Sequence, residues 1–246
     1  MKKGIIFFLF LTLSVYGANQ SYEKIWVQRN NLTQNHAKKI YKVYQPLSKQ
    51  DSQNYKLWWQ YSRALNFYGM YFASSRQEKI KIYAKAKTAA ENAVQISPDG
   101  IDGHVWLGIT LGNWGRSRGV LKSLKVIPDV VKNMQEVITK APSRNEAVAY
   151  RVMGTLYFRA PGSPLSIGNK EKSLEYFKKA IQLAPNNKKN YLYISQVYYS
   201  KKKYAVALDY VKKALNKPIR PKHKIEELHD IAKLKKMKQK IFNRMK

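Results

Sequence analysis

The sequence predicts an all-α protein in which antiparallel helix pairs stack into a superhelix with a concave groove. One observation is a recurring helix ending, since three stretches read AENAVQISP, MQEVITKAP and FKKAIQLAP and close at Pro98, Pro142 and Pro185. Proline lacks an N–H group and fixes φ, so each ending marks a boundary between units. A second observation is that the 246 residues include no cysteine. Packing, rather than disulfides or thiolate metal sites, must therefore hold the units together.

The clearest unit begins at Lys188. Its large, small and aromatic residues follow the tetratricopeptide pattern of roughly 34 residues, and the matching positions are Tyr191, Ile194, Ser195, Tyr198, Ala207, Val211 and Ala214. The same spacing recurs upstream, with its small first-helix residue at Ser62, Gly108 and Gly154. A small residue there lets two helix axes approach within about 8–10 Å, and stacked neighbours bury the apolar face that each pair leaves open. Residues 55–218 are therefore predicted to form a tetratricopeptide-like array of about four units.

Both ends of the array are predicted to carry capping helices. Residues 18–54 form the N-terminal cap, with a helix from Gln34 to Gln50 in which Pro46 indicates a kink or an early stop. Residues 219–246 form a basic C-terminal helix whose apolar stripe consists of Ile225, Leu228, Ile231, Leu234, Met237 and Ile241. Acidic residues at its start and lysines after them follow the polarity of a helix dipole. The alternative is that this amphipathic helix lies on an anionic membrane.

Two inter-helix loops are predicted to be oversized. The first contains GNWGRSRG, and the second, from Arg159 to Asn169, reads RAPGSPLSIGN. Glycines expose backbone N–H groups and arginines offer forked donors, so Arg116, Arg118 and Arg159 are candidates for holding an anion. The first loop lacks the Lys-Ser/Thr ending of a nucleotide-binding P-loop. The competing interpretation is that both loops are structural, the second folded over the groove or its edge.

Residues 1–17 are predicted to be a secretory signal peptide. Lys2 and Lys3 precede an apolar run that ends near Tyr16, and small residues follow at Gly17 and Ala18, as in a cleavage site. The run is shorter than the roughly 20 residues that span a bilayer, and an uncleaved anchor is the alternative. No cysteine is present that could be lipidated. We therefore expect the mature protein to be periplasmic or secreted.

The chain is strongly basic, with 46 Lys and Arg against 15 Asp and Glu and a formal net charge of +31. Such a charge favours anionic partners, which include an acidic protein, anionic lipid, a cell-wall polymer or nucleic acid. The abundance of Lys also fits an AT-rich genome, so the charge is either selected or compositional. Because export removes the chain from the compartment of nucleic acids, no specific nucleic-acid partner is expected. Salt-dependent binding to unrelated DNA would report charge alone.

Catalysis is not predicted. The four histidines are His36, His104, His223 and His229, and they show no spacing typical of a metal site. The sequence has neither a G-x-S-x-G elbow nor a thiol nucleophile. His104 takes a packing position and is expected to be buried and hydrogen-bonded. We therefore expect no enzyme activity, no cofactor and no metal, with a hydrolase as the remaining alternative.

The groove is expected to be lined by neighbours of the packing positions in the first helices, because the core consumes the packing positions themselves. These neighbours combine aromatic, amide and guanidinium groups, which suit an extended acidic peptide or an amphipathic anion. The predicted groove residues are Trp59, Arg63, Asn66, Val105, Ile109, Asn113, Arg151, Thr155, Phe158, Gln196 and Tyr199. An ordinary solvated surface is the alternative interpretation of each.

Two segments carry a resemblance to a known family. They read GHVWLGITLGNWGRSRG at residues 103–119 and LYFRAPGSPLSIGNKEKSLEYFKKAIQLAP at residues 156–185. Over residues 57–217 the chain resembles the exported tetratricopeptide proteins related to TatT, the T component associated with TRAP transporters. It is similar, more distantly, to the regulator of microtubule dynamics proteins. The resemblance implies a non-catalytic helical binding module that engages a substrate-binding protein or small apolar ligands, with a link to solute uptake.

Two functions follow as expectations. The first is an exported helical scaffold that holds a protein partner or an apolar or anionic ligand in its groove. The second is an envelope-surface protein that attaches to anionic lipid or a cell-wall polymer through the basic C-terminal helix, with the groove incidental. The sequence does not distinguish between oligomeric states.

Overall fold

The structure is a computed structural model that describes residue 26 and residues 34–140 and 144–246. Over these residues the chain is helical and contains no strand, which confirms the predicted all-α class. The helices are α1 (Gln34–Gln50), α2 (Tyr55–Tyr71), α3 (Arg76–Ile96), α4 (Ile101–Arg118), α5 (Val120–Lys125), α6 (Ile127–Lys140), α7 (Arg144–Arg159), α8 (Lys170–Leu183), α9 (Lys188–Ser200), α10 (Tyr204–Leu215) and α11 (Lys224–Met245). A short 3-10 turn at Pro221–His223 precedes α11.

Short polar side chains begin several of these helices. The side-chain oxygens of Asn54, Ser75 and Asn169 each accept a hydrogen bond from a backbone N–H in the first turn of α2, α3 and α8. Such a cap satisfies a donor that has no partner inside the helix. The starts of these helices are therefore encoded locally in the sequence.

The helices form four pairs, α2 with α3, α4 with α6, α7 with α8 and α9 with α10. The first helices of consecutive pairs contact one another, and each second helix also contacts the first helix of the next pair. This arrangement places α2, α4, α7 and α9 along the inner face of the array and the second helices outside it. The tetratricopeptide-like stacking predicted from the repeat spacing is confirmed.

Small residues bring the two helices of a pair together, as the spacing predicts. Ser173 of α8 donates from its hydroxyl to the Gly154 carbonyl oxygen of α7 at 2.8 Å. A Cβ atom added at Gly154 would lie 2.9 Å from the ring of Phe177, which is fully buried. The pair therefore has no room for a larger side chain at this contact.

The C-terminal helix α11 caps the array. Its side chains Leu234, Met237 and Ile241 are buried and pack in one cluster with residues of α9 and α10. Most of the apolar stripe is thus consumed by packing, which supports the capping interpretation and leaves Leu228 as its exposed member. The helix cannot lay this stripe on a membrane while it stays in place.

The first predicted loop is wrong in its extent, because residues 112–118 belong to α4 and Arg116 and Arg118 therefore lie on that helix. The two connections that follow α4 and α7 are folded against the array. The first turns at Gly119, whose φ of 103° lies in the region that favours glycine, and then forms the short helix α5. Arg76 of α3 ties this turn down by donating from Nε to the Ser117 carbonyl at 2.8 Å. In the second loop, Gly168 N–H donates to the Pro161 carbonyl at 2.8 Å. The loops therefore have fixed positions at the ends of α4 and α7.

The predicted signal peptide, residues 1–17, lies outside the described residues and stays a prediction. The proposed limits of the N-terminal cap, the array and the C-terminal helix also remain predictions, although α1 covers the helix expected at Gln34–Gln50. In the described part of the chain, no helix is both long enough and apolar enough to cross a bilayer.

Candidate functional site

The first turns of α11 enter the groove and are anchored there by a buried ion pair. Glu227 is fully buried and accepts a hydrogen bond from Arg220 Nε at 2.8 Å. Its second oxygen lies 3.5 Å from the ammonium of Lys188, which is fully buried as well. Lys188 also donates to the carbonyls of Lys217 and Pro218 at 2.5 and 3.0 Å. These charges neutralise one another within the protein, although Glu227 Oε2 accepts no hydrogen bond from the described residues, and the ion pair holds α11 against α9.

A second lysine at the start of α9 joins α2, α9 and α11. Lys189 donates from Nζ to the Tyr71 hydroxyl at 2.8 Å and lies 3.8 Å from a carboxylate oxygen of Asp230. The His229 ring packs edge-on against Tyr71 at 5.2 Å between centroids. Burial would lower the pKa of Lys189, but Tyr71 and Asp230 raise that pKa above its ordinary value. The two ends of the described array therefore meet at Tyr71.

Four more cationic side chains surround this contact. Arg151 of α7 donates from Nη1 to the buried Asn190 side-chain oxygen at 3.2 Å and interacts electrostatically with Asp230 and Tyr71. Lys233 of α11 interacts with Asp230 and Lys189. At the ends of α7 and α4, Arg159 and Arg116 lie close enough to repel each other. We call Arg116, Arg151, Arg159, Lys189 and Lys233 the cationic cluster.

The cationic cluster carries more positive charge than its surroundings neutralise. Burial is the main factor that lowers the pKa of Arg151, Arg159 and Lys233. Arg116 lowers the pKa of Arg159 further. Part of each of these side chains nevertheless remains accessible to water. The carboxylate that interacts with Arg151, Lys189 and Lys233 is Asp230. Cations in excess favour binding of an anion, and the charge-assisted hydrogen bonds should be strongest at Arg151 and Lys189, the members least accessible to water.

Asp230 is itself poorly satisfied. It is almost fully buried, and its Oδ1 atom finds no hydrogen-bond donor among the residues that the structure describes. A buried carboxylate oxygen without a donor is unfavourable, so the nearby cations stabilise Asp230 mainly through their charge. Lys189 Nζ lies 5.4 Å from the Tyr71 ring centroid, and the Tyr193 hydroxyl interacts with Arg151 and Lys189. The site thus combines cations with aromatic surface.

A hydrogen-bond ladder between α2 and α4 orients Arg116. Arg116 donates to the Asn113 side-chain oxygen at 3.0 Å, and Asn113 donates to Asn66 at 3.1 Å. Asn66 in turn donates to the Thr110 hydroxyl at 2.6 Å. Asn66 is fully buried, which corrects the expectation that it lines the groove. Because the ladder consumes their amides, Asn66 and Asn113 act as positioning residues for Arg116.

Trp59 and Arg63 lie on the same face of α2 as Tyr71, at a spacing of four residues, but an N-terminal side chain covers them. The Arg63 guanidinium lies 4.1 Å from the Trp26 ring centroid and 4.9 Å from that of Trp59. Trp26 also packs edge-on against Phe67 at 5.4 Å. This part of the predicted groove is therefore a stack of aromatic and guanidinium groups, away from the cationic cluster.

The other predicted groove residues have mixed surroundings. Val105 is buried in the core, which corrects its assignment to the groove, and Ile109 and Phe158 pack partly against the core. Thr155 donates to the Arg151 carbonyl at 2.8 Å, and Gln196 is half-buried. The Tyr199 ring packs against the Tyr204 ring, and the Arg118 guanidinium lies over the Trp114 ring. Of the fourteen predicted groove and loop residues, three belong to the cationic cluster: Arg116, Arg151 and Arg159.

Sequence reasoning missed Tyr71, Lys189, Tyr193 and Lys233. Lys189 and Lys233 lie in lysine-rich stretches that offer no local signal to separate a groove lysine from a solvated one. Two chemical expectations can be compared with the structure. His104 is buried, and its ring nitrogens contact Asn133 Oδ1 and the Pro98 carbonyl, each at 2.8 Å. Within the described ranges, no group of three or more His, Asp or Glu side chains is arranged to hold a metal ion.

Comparison with solved structures places the chain among tetratricopeptide-type proteins. A thermophilic TPR protein of Thermus thermophilus superposes with a TM-score of 0.66 at 15% identity, over 89% of this chain and 97% of that one. The human IFIT1 dimer with PPP-AAAA matches with a TM-score of 0.55 at 16% identity, over 85% of this chain and 46% of that one. A MamA RS-1 double mutant gives 0.50 at 16% identity, over 87% and 97%. At these identities the likeness shows the fold alone.

The family assignment rests on a match to the sequence itself. No individual curated protein matches significantly. The model of the regulator of microtubule dynamics protein 1-3 family matches residues 25–162 and 168–241, which include the cationic cluster and most of α11. The resemblance to TatT remains a prediction. The match instead supports the resemblance to the regulator of microtubule dynamics proteins, which was expected to be the more distant one. The chain belongs to the regulator of microtubule dynamics protein 1-3 family.

Proposed function

We propose that this protein is an exported, non-catalytic helical-repeat scaffold whose groove holds an anionic group of a protein partner or a small ligand. The observation that carries the proposal is the cationic cluster. Lys189 lies 3.8 Å from Asp230, and Arg151 and Lys233 interact with the same carboxylate. Arg116 in turn repels both Lys233 and Arg159. Arginine forks suit carboxylates and phosphates in particular. The solved IFIT1 structure contains PPP-AAAA, which supports the compatibility of this fold with a bound ligand.

The surroundings favour a ligand that pairs an acidic group with an apolar part. Tyr71 and Tyr193 supply aromatic surface beside the cations, and Phe158 lies further along the inner face. An acidic peptide with apolar side chains or an amphipathic anion fits this combination. A substrate-binding protein of a solute-uptake system would present such a peptide, and this is the finer form of the proposal.

Binding of an acidic peptide tests the groove. The probe is a fluorescein-labelled hexaglutamate peptide, followed by anisotropy with the full mature chain. A triple variant with Arg116→Ala, Arg159→Ala and Lys233→Ala removes three cations that are largely exposed, so folding should be retained. We expect at least about a tenfold loss of affinity, which corresponds to roughly 1.4 kcal/mol.

A matched control removes the same charge elsewhere. Lys85, Lys178 and Lys212 are exposed on the outer helices α3, α8 and α10, and the triple change to alanine should alter peptide affinity by less than about threefold, because these side chains lie outside the groove and salt screens their charge from it. Equal losses in the two triple variants would show that net charge alone attracts the peptide, and the groove proposal would be abandoned.

A second candidate function is attachment of the envelope-exposed protein to anionic lipid or a cell-wall polymer through α11. The favouring observation is that Lys235, Lys236 and Lys240 are exposed on this helix. Its test is co-sedimentation with vesicles after these three lysines are changed to alanine, since α11 itself must stay to cap the array. Unchanged sedimentation would remove this candidate. Export is tested separately by N-terminal sequencing of the protein from the envelope fraction, where a start at Ala18 is expected.

A further inference from the structure

The turns that join the first to the second helix of the last three pairs lie along one edge of the array. They comprise residues 119–126 after α4, residues 160–169 after α7 and residues 201–203 after α9, and we call them the turn edge. Neighbouring first helices contact each other, and Arg116 and Arg159 at the ends of α4 and α7 are electrostatic neighbours. The first two turns are therefore adjacent.

The turn edge exposes large apolar side chains. Val120 and Leu121 of α5 are 70% and 75% exposed, and Leu165 at the tip of the next turn is 79% exposed. These are the three most exposed large hydrophobic residues in the described part of the chain. Single exposed apolar residues are common, but three on adjacent turns form a patch that marks an interaction surface.

The same edge is basic and nearly free of carboxylates. The sequence has no Asp or Glu between Asp102 and Asp129, and none between Glu146 and Glu171. Exposed Lys122 and Lys125 flank the two apolar residues of α5, and three consecutive lysines occupy residues 201–203. Glu171, which borders the edge, is paired with Lys201. The patch is therefore apolar at its tips and positive around them.

We propose that the turn edge docks on an anionic lipid bilayer. Val120, Leu121 and Leu165 would enter the interfacial region, while the exposed lysines Lys122, Lys125, Lys202 and Lys203 contact the anionic headgroups. This surface is distinct from α11, whose apolar stripe is mostly consumed by packing, and it does not depend on ligand binding in the groove.

Charge argues for a membrane rather than a second copy of the chain. Two turn edges brought face to face would place their lysines against each other without carboxylates to balance them, which is unfavourable. An anionic bilayer supplies the opposite charge and accepts small apolar tips without a shaped pocket. A bilayer would therefore contact both the apolar tips and the positive charge of the turn edge.

The test is co-sedimentation of the full mature chain with vesicles of phosphatidylcholine containing about 30% phosphatidylglycerol in moderate salt. The test variant carries Val120→Ser, Leu121→Ser and Leu165→Ser, all at exposed positions. We expect its partition coefficient to fall by about tenfold or more, because the apolar insertion is lost. Vesicles of pure phosphatidylcholine should bind the unaltered protein weakly, because the electrostatic attraction is missing.

A matched control carries Leu183→Ser, Ile219→Ser and Leu228→Ser, three exposed apolar residues away from the turn edge, and should sediment like the unaltered protein. No binding of the unaltered protein to the anionic vesicles would overturn the proposal, as would equal effects of the two triple variants. Light scattering measures the oligomeric state and so tests whether a second copy of the chain binds the turn edge instead. If the unaltered protein is a dimer that the turn-edge variant dissociates, the edge joins two copies and the membrane proposal is wrong.

Discussion

Two adjacent lysines at the start of α9 meet the same helix in opposite ways. Lys188 is fully buried, faces Glu227 and donates to two backbone carbonyls, so its charge and donors are used inside the protein. Lys189 keeps part of its side chain accessible and shares Asp230 with Arg151 and Lys233. The comparison separates structural charge, which is neutralised internally, from charge that remains available to a ligand.

The largest expected effect comes from breaking the neutralised pair. Glu227→Ala leaves the Lys188 ammonium buried without its carboxylate and removes the partner of Arg220, so unfolding free energy should fall by about 3–5 kcal/mol. Urea denaturation followed by circular dichroism measures it. Glu171→Ala is the control, because Glu171 forms an exposed pair with Lys201 and exposed pairs contribute little to stability, so its effect should be far smaller. Similar losses in the two variants would contradict the structural role of Glu227.

A contact that involves no charge provides the next test. Gly154→Leu would push a side chain into the ring of buried Phe177, and overpacking should lower the unfolding free energy by about 1–3 kcal/mol or more. Arg151→Ala should lower it less, since one hydrogen bond to Asn190 is lost, yet weaken the acidic peptide. A thermal melt that shifts more for Arg151→Ala than for Gly154→Leu would refute this assignment.

Gly112 supplies a control for the glycine change. Apart from its chain neighbours and the backbone of its own helix, no atom of the described residues lies within 4 Å of a Cβ built at Gly112. Gly112→Ala should therefore stabilise the protein by about 0.5–1 kcal/mol through helix propensity. The same denaturation experiment measures the gain. Destabilisation by both glycine substitutions would mean that substitution in the first helices, rather than crowding at Phe177, is responsible.

Substitution of Lys189 tests the charge that remains available to a ligand. Lys189→Met should lower the unfolding free energy by only about 1 kcal/mol, because Arg151 and Lys233 remain beside Asp230. Peptide affinity should fall severalfold, whereas Asp230→Asn should raise it by removing the competing carboxylate. If Asp230→Asn left the affinity unchanged or weaker in a folded protein, the cluster would not act as an anion site.

The smallest effect concerns alkaline pH. The pKa of Lys189 and the pKa of Tyr71 are both raised in the folded protein, the first despite burial and the second mainly because of it. Groups with raised folded pKa values bind protons more tightly in the native state, so their contribution is fully present below pH about 10 and is lost as the pH rises above it. Tyr71→Phe should flatten this loss. Denaturation midpoints between about pH 8 and 11 measure the difference, and an unchanged slope would contradict the coupling.

The packing of the array could be predicted from the sequence because its determinants recur at fixed spacing. Ser62, Gly108, Gly154 and Ser195 mark the first helices, and the proline endings mark the unit boundaries. The groove was less predictable. Asn66 and Val105 neighbour packing positions but are themselves buried, because contact between α2 and α4 covers more of each helix than the repeat pattern indicates.

The sequence by itself determined the helix pairs and their order, since these depend on residues close together in the chain. The packing of α11 as a cap was decided by tertiary contacts with α9 and α10. Only the tertiary structure decided which of the many lysines and arginines share one site. Tyr71 and Lys189 are 118 positions apart and yet form a hydrogen bond, because the stacked first helices and the start of α11 converge there. Which charged side chains come close together depends on the combined geometry of several helix contacts, and no local sequence pattern encodes that geometry.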